Sequence, residues 1–111
     1  MKLLPLDRLF SQYIKLRDKW CQRCGGTGGL QTSHFIGRSR RIVRWDEDNA
    51  CLLCFGCHMY LTAHPTEHVQ WFINHLGEEK LDLLMARNRN REKPDMSAIT
   101  LYLKAKMQEV E

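Results

Sequence analysis

Two cysteine pairs with the spacing of metal ligands are the residues of this chain best suited to chemistry. Each pair has the form Cys-x2-Cys, and the pairs comprise Cys21, Cys24, Cys54 and Cys57. Four thiolates on two tight turns satisfy the tetrahedral coordination that zinc takes in structural sites. The spacing therefore predicts one structural zinc ion that holds a small fold together.

A fifth cysteine leaves an alternative for the second pair. Cys51 stands three positions before Cys54, so Cys51 could replace Cys57 or Cys54 as a zinc ligand. We favour Cys54 and Cys57, because Cys51 falls within a predicted strand and is expected to be a buried free thiol. A redox role for either pair is disfavoured, because no βαβ pattern surrounds them.

Three polar residues interleaved with the cysteines are left over for a second site: His34, Asn49 and His58. Their order and register match the HNH pattern, a ββα-metal site that hydrolyses phosphodiester bonds. A neutral histidine can take a proton from water near pH 7, so His34 is the predicted general base. Asn49 is predicted to hold the loop that carries this base. His58 is the predicted ligand of a catalytic Mg²⁺ or Mn²⁺, which would stabilise the charge on the phosphate.

The sequence leaves the second ligand of this catalytic metal open. His64 follows His58 by six residues, about 240° around a helix. It is a candidate ligand only if the chain bends near Pro65. Asp46 and Asp48 are the other candidates.

The elements that must position these residues follow from the apolar periodicity and the turn residues. The predicted elements are a helix at 6–20, a Gly-rich turn at 21–29, strands at 30–35 and 49–53, and helices at 56–63, 66–76, 78–87 and 96–110. The predicted fold class is α+β, a small and mostly helical domain around a treble-clef zinc site with a ββα-metal (HNH) core. His68 and His75 lie on one face of the helix at 66–76 and are expected to be structural or surface residues.

A single domain over residues 1–111 is expected, since 111 residues with 43% hydrophobic content suit one modest core. Its predicted segments are an N-terminal helix (1–20), a zinc and ββα core (21–64), a helical segment (65–87), a basic linker (88–94) and a C-terminal helix (95–111). The last helix carries an apolar stripe, which predicts packing either on the body of the domain or on a second subunit.

The charge distribution predicts contact with DNA phosphates. The net charge is only +4, but the basic residues cluster in two runs. They are Arg38, Arg40, Arg41 and Arg44 in the first, and Arg87, Arg89, Arg91 and Lys93 in the second. Such patches neutralise a polyanion backbone without reading bases. No helix carries base-reading side chains in major-groove order, which argues against a sequence-specific factor.

The start of the chain has no apolar segment typical of a signal peptide, and no stretch approaches the roughly 20 apolar residues that span a bilayer. We therefore expect a cytoplasmic protein with no membrane partner. In that reducing compartment Cys-x2-Cys pairs bind metal more often than they form disulfides.

The sequence also resembles a known family, the NinG (or Rap) proteins of lambdoid phages, over residues 10–86. The likeness is carried by the segments 10–18, 21–25, 33–38, 44–49, 54–57 and 76–81. The resemblance implies an HNH-family endonuclease that acts on branched recombination intermediates such as Holliday junctions and D-loops, in the cytoplasm of a bacterial host. Symmetric cleavage of a four-way junction needs two active sites, which implies a homodimer. Ser33 departs from the pattern, since many HNH enzymes have an Asp or His ligand at that position.

Two other functions remain open from the sequence. The chain could be a general HNH nicking endonuclease that works in DNA packaging or homing. It could also be a zinc-binding module that binds DNA without cleaving it. Cleavage of linear duplex as readily as of junctions would favour the first, and binding without cleavage would favour the second.

Overall fold

Six helices and a two-stranded antiparallel sheet form the part of the chain that the structure describes. The structure is a computed structural model and describes residues 2–110, so Met1 and Glu111, at the ends of the predicted terminal segments, lie outside it. The elements are α1 (Pro5–Asp18), β1 (Gln31–His34), α2 (Arg41–Arg44), β2 (Ala50–Leu53), α3 (Phe55–Ala63), α4 (Pro65–Leu76), α5 (Glu78–Asn88) and α6 (Met96–Val110). The predicted α+β class with mostly helical content is confirmed.

The predicted elements are present with shifted ends, and two short elements were not predicted. α2 and a single 3-10 turn at Glu47–Asn49 occupy the arginine-rich connection between the strands. Four and three residues are too few to give a hydrophobic period, so the sequence offered no sign of them.

Helix α1 forms the centre of the first hydrophobic core. Proline at its first position suits a helix start, and the helix ends where Lys19 adopts a φ of 68°. Its buried face contacts α6 and β2. The buried residues of this core are Leu6, Phe10, Tyr13, Ile14, Trp45, Ala50, Leu52 and Leu103.

The sheet is short. The outer edge of β2 is covered by the end of α1 and the residues after it. Strands β1 and β2 pair with Ser33 opposite Cys51. On the outer side of β2, the Leu52 N–H donates to the Asp18 carboxylate at 2.9 Å, and the Gln22 N–H donates to the Leu52 carbonyl at 2.9 Å. These contacts satisfy the backbone groups that an edge strand leaves unpaired.

Helix α6 directs its apolar stripe inward. Asp95 caps the helix by accepting a hydrogen bond from the Ala98 N–H at 3.0 Å. Leu103 is fully buried, and Ile99 and Met107 pack against the α1 core. The stripe thus packs within the chain. No helix among residues 2–110 combines the length and the apolar character needed to cross a membrane.

Arg44 was predicted to contact DNA, and the structure instead buries it. Its guanidinium donates to both carboxylate oxygens of Asp7, at 2.6 and 2.9 Å, and only 4% of the residue is exposed. The same carboxylate accepts hydrogen bonds from the Trp45 indole N–H and the Leu4 backbone N–H. The interactions with Arg44, Leu4 and Trp45 outweigh the effect of burial and lower the pKa of Asp7. Arg44 is therefore a structural residue.

We expect Arg44→Ala to lower the free energy of unfolding by about 3–5 kcal/mol, because it leaves the buried Asp7 carboxylate without its partner. Urea denaturation followed by circular dichroism measures this change. Arg38→Ala is the matched control, since Arg38 forms no ion pair within residues 2–110, and it should stay near the wild-type value. Wild-type stability in Arg44→Ala, together with weaker DNA binding, would restore the original prediction.

Candidate metal centre and histidine cavity

The four predicted ligand cysteines come together in one cluster. The sulfur atoms of Cys21, Cys24, Cys54 and Cys57 all lie within 4.8 Å of one another. The Sγ atoms of Cys24 and Cys54 are 3.7 Å apart. A tetrahedral zinc site with Zn–S bonds of about 2.3 Å has sulfur–sulfur edges of about 3.8 Å. The cluster can therefore hold a metal ion such as zinc.

The local backbone prepares these sulfurs to bind a cation. The N–H groups of Cys24, Gly26 and Cys57 each donate to a cluster sulfur at 3.4 Å. Burial opposes ionisation of Cys21, but backbone N–H groups outweigh it and lower the pKa of that thiol to about 6. Such turns stabilise thiolates, the form in which cysteine binds metal.

The Cys57 thiol has the opposite shift. Burial raises the pKa of Cys57 to about 12, although the Arg23 guanidinium acts in the other direction. Arg23 donates to the Cys57 sulfur at 3.3 Å and lies 4.8 Å from the centre of the Tyr60 ring. A cation among the sulfurs would favour ionisation of this thiol.

Cys51 is separate from the cluster. It is fully buried in β2, and burial raises the pKa of its thiol well above the usual range. The geometry thus favours Cys54 and Cys57 as the second pair, as the sequence suggested, and Cys51 is a core residue.

Next to the cluster, an open cavity of about 830 Å³ contains both histidines of the predicted catalytic site. His34 is the last residue of β1, and His58 lies in the first turns of α3. Arg38 lines the cavity from the loop after β1, and Arg8 lines it from α1. The fold thus brings the two histidines to one solvent-accessible surface with two cations beside them.

His34 has the hydrogen-bonding arrangement of a base. Its Nε2 lies 2.9 Å from the carbonyl oxygen of Arg44. A carbonyl can only accept, so Nε2 carries the proton and Nδ1 is the basic nitrogen. Burial lowers the pKa of His34, against the opposing effect of that carbonyl. The imidazole is therefore neutral at pH 7.

Asn49 fixes the loop that follows His34. It is completely buried, its Oδ1 accepts from the Ile36 N–H at 2.7 Å, and its Nδ2 donates to the carbonyls of Ile36 and Val43 at 2.9 Å. The side chain thereby joins the two ends of the connection that carries Arg38. This geometry matches the orienting role predicted for Asn49.

His58 is oriented by a residue that the sequence did not single out. Its Nδ1 lies 2.6 Å from the Gln31 side-chain oxygen, so Nδ1 donates and Nε2 is free to bind a metal. Burial lowers the pKa of His58, which favours the neutral imidazole needed for a ligand.

The other candidate metal ligands lie away from this cavity. His64 is exposed, stacks on the Tyr60 ring at 4.1 Å, and its Nδ1 lies 2.7 Å from the Tyr60 carbonyl. Asp46 and Asp48 both accept from Arg87, at 2.5 and 3.0 Å. Ser33 is buried on the opposite side of β1. Around the histidine cavity, the described residues form no group of three or more His, Cys, Asp or Glu side chains that could hold a metal ion.

Three residues near this site were missed or assigned elsewhere. Gln31 orients His58, and Arg8 lines the cavity. His68, expected to be structural, lies near the His34 backbone and close enough to His58 for their charges to interact. These residues come from β1, α1 and α4, and nothing in their spacing links them to His34.

Members of both basic runs lie on one surface outside the histidine cavity, whereas Arg38 lines that cavity. Arg40, Arg41, Arg89 and Arg91 line a second cavity of about 870 Å³. Arg87 lies outside it, because its guanidinium is held by Asp46 and Asp48.

Comparison with known proteins identified no relative of the chain. Family models, curated proteins and solved structures gave no match to the chain. The resemblance to the NinG family stays a prediction from the sequence, and the function is inferred from the site itself.

Proposed function

We propose that the protein is a metal-dependent endonuclease of the HNH type that hydrolyses DNA phosphodiester bonds. The observation that carries the proposal is the pair His34 and His58. They share one cavity, each with a single protonated nitrogen fixed and its second nitrogen available. Asn49 supports it by holding the adjoining loop.

In this proposal the cysteine cluster is a structural zinc site of the treble-clef type. One Cys-x2-Cys turn precedes the hairpin of β1 and β2, and the other leads into α3. The ion would fix α3 against β1, the two elements that carry the histidines.

The proposed mechanism assigns each residue one task. The Nδ1 of His34 takes a proton from the attacking water. Arg38 and Arg8 neutralise the phosphate as negative charge develops. His58 would hold a catalytic cation through Nε2, and Mg²⁺ or Mn²⁺ there would supply further charge stabilisation for the phosphate.

The donors at this site fit a cation that is held weakly until DNA binds. His58 is one protein ligand, and among residues 2–110 the carboxylate that lines the cavity, Asp7, is taken up by Arg44. Mg²⁺ commonly retains several waters and completes its shell with substrate phosphates. The DNA would thus supply part of the coordination sphere.

The same scarcity of ligands supports a second candidate, a zinc-binding DNA-binding module without catalysis. Ser33 points away from the cavity and Asp7 is unavailable, so the catalytic cation has few protein ligands. DNA binding by the wild-type protein with no cleavage in Mg²⁺ or Mn²⁺ would select this function.

Branched recombination intermediates are the proposed substrates, on the strength of the family resemblance. We expect the wild-type protein, with Mg²⁺ or Mn²⁺, to cut a labelled four-way junction at least tenfold faster than a linear duplex of the same sequence. Denaturing gel electrophoresis measures both rates. Equal rates on the two substrates would instead favour a general nicking endonuclease.

A further inference from the structure

The second cavity is formed by two segments that are far apart in sequence. One wall is the connection after β1, with Arg40 and Arg41, and the other is the segment after α5, with Arg89, Arg91 and Lys93. Among residues 2–110, five cationic side chains therefore line it, opposed by one carboxylate. This carboxylate is Glu92.

Hydrogen bonds hold the two walls together. The Arg40 guanidinium donates to the Asn88 backbone carbonyl at 2.5 Å and to its side-chain oxygen at 3.1 Å. Arg87 fixes the end of α5 by donating to Asp46 and Asp48. The two walls are thus fixed relative to each other before any ligand arrives, which reduces the entropy lost on binding.

This surface continues toward the histidine cavity. A smaller depression of about 370 Å³ is lined by Lys2, Arg38 and Arg41. Arg38 also lines the histidine cavity, and Arg41 also lines the second one. Positive side chains therefore follow an unbroken path between the two.

The lining of the second cavity suits phosphates better than bases or catalysis. Arg89 and Arg91 are exposed, and their guanidinium groups have no hydrogen-bond or ion-pair partner within residues 2–110. Guanidinium groups bind phosphate oxygens in bidentate fashion. Within the described part of the chain no aromatic ring and no histidine lines this cavity, so its described lining offers neither base stacking nor a proton acceptor near neutral pH.

We propose that this cavity is a second DNA site, which binds the phosphodiester backbone away from the bond being cut and does not cleave it. The identity of the polymer rests on the proposed function. The site lengthens the DNA footprint beyond the histidine cavity and fixes the direction in which the strand leaves it. Arg89 and Arg91 are its principal contacts, and Arg44 and Arg87 take no part.

The test is the salt dependence of DNA binding, measured by fluorescence anisotropy of a labelled 30-base-pair duplex without added divalent cation. The slope of log K against log salt is negative, and each lost phosphate contact makes it shallower by about 0.9. We therefore expect Arg89→Gln/Arg91→Gln to make the slope shallower by about 2 and to weaken binding roughly tenfold near 150 mM salt.

The matched control is Lys15→Gln/Lys80→Gln, which removes the same charge from exposed residues that line neither cavity. Its slope should stay near the wild-type value. An unchanged slope in the arginine variant, or an equally shallow slope in the lysine variant, overturns the second site.

A cleavage assay on the same proteins separates this inference from the proposed nuclease. A shallower slope in the arginine variant with no cleavage by the wild type would support the DNA site and remove the nuclease. Cleavage by the wild type with an unchanged slope in the arginine variant would keep the nuclease and remove the second site.

Discussion

Replacing His34 with alanine is expected to reduce DNA cleavage by about 10²–10⁴-fold, the range that general-base catalysis contributes. The reason is that Nδ1 of this imidazole is the basic nitrogen beside His58 in the cavity. Binding of the same DNA should change little, because the side chain is neutral near pH 7 and the proposed phosphate contacts are made by arginines. Single-turnover cleavage and anisotropy measure the two effects separately.

Two control variants distinguish loss of the catalytic base from loss of folding. His34→Gln keeps an N–H that can reach the Arg44 carbonyl but has no basic nitrogen, so it should melt like the wild type and still fail to cleave. His75→Ala removes an exposed imidazole stacked on Trp71 and should retain activity. Cleavage by His34→Gln at the wild-type rate would disprove the assignment of the base.

The pH profile gives an independent readout of the same residue. A protonated imidazole cannot accept a proton, so the cleavage rate falls as the pH drops through the pKa of His34. Burial lowers that pKa below the ordinary 6.5. The acid limb of kcat/KM should therefore lie below pH 6.5 in the wild type, and an acid limb well above this value would point to another base.

The parts of the site that local spacing dictates were predictable. A Cys-x2-Cys turn determines the direction of its own two sulfurs, and two such turns around a hairpin lead to one cluster. The order of His34, Asn49 and His58 sets them at the end of β1, just before β2 and near the start of α3. Convergence of the histidines also requires that α3 packs back against β1, which the spacing does not dictate.

The roles of the arginines depended on partners that the sequence does not reveal. Arg44 and Asp7 are 37 residues apart, and only the packing of α1 against the arginine-rich connection makes them a buried pair. Arg87 meets Asp46 in the same way across 41 residues. A run of like charges therefore predicts that a basic surface exists. It does not predict which arginines form ion pairs within the protein and which stay free for a ligand.

The orientation of Ser33 shows a similar limit. Strand alternation places it on the face opposite His34, where it is buried beneath the sheet. The sequence identified it as a departure from the HNH pattern. The structure adds that no side chain at this position reaches the cavity without a local change in the strand.

Loss of the metal at the cysteine cluster is expected to unfold the protein. Structural zinc in small domains contributes about 10–16 kcal/mol of apparent binding free energy at pH 7. The net stability of a whole domain is only about 5–15 kcal/mol. Cys54→Ser should therefore lose both the bound zinc and the cooperative melting transition, as measured by metal analysis and circular dichroism.

Cys51→Ala is the matched control, because Cys51 is a cysteine of the same strand region but lies outside the cluster. It should keep about one zinc per chain and lose at most a few kcal/mol through a small cavity. A Cys54→Ser protein that retains zinc and melts like Cys51→Ala would remove Cys54 from the ligand set.

The zinc prediction also bears on cleavage. His34 and His58 lie on β1 and α3, and the cysteine cluster joins the segments on either side of these elements. Removing the ion is therefore expected to separate the two histidines. Chelation should therefore abolish cleavage and the melting transition together, and Mg²⁺ alone should restore neither. Recovery of cleavage by Mg²⁺ without zinc would show that the two metal sites are independent.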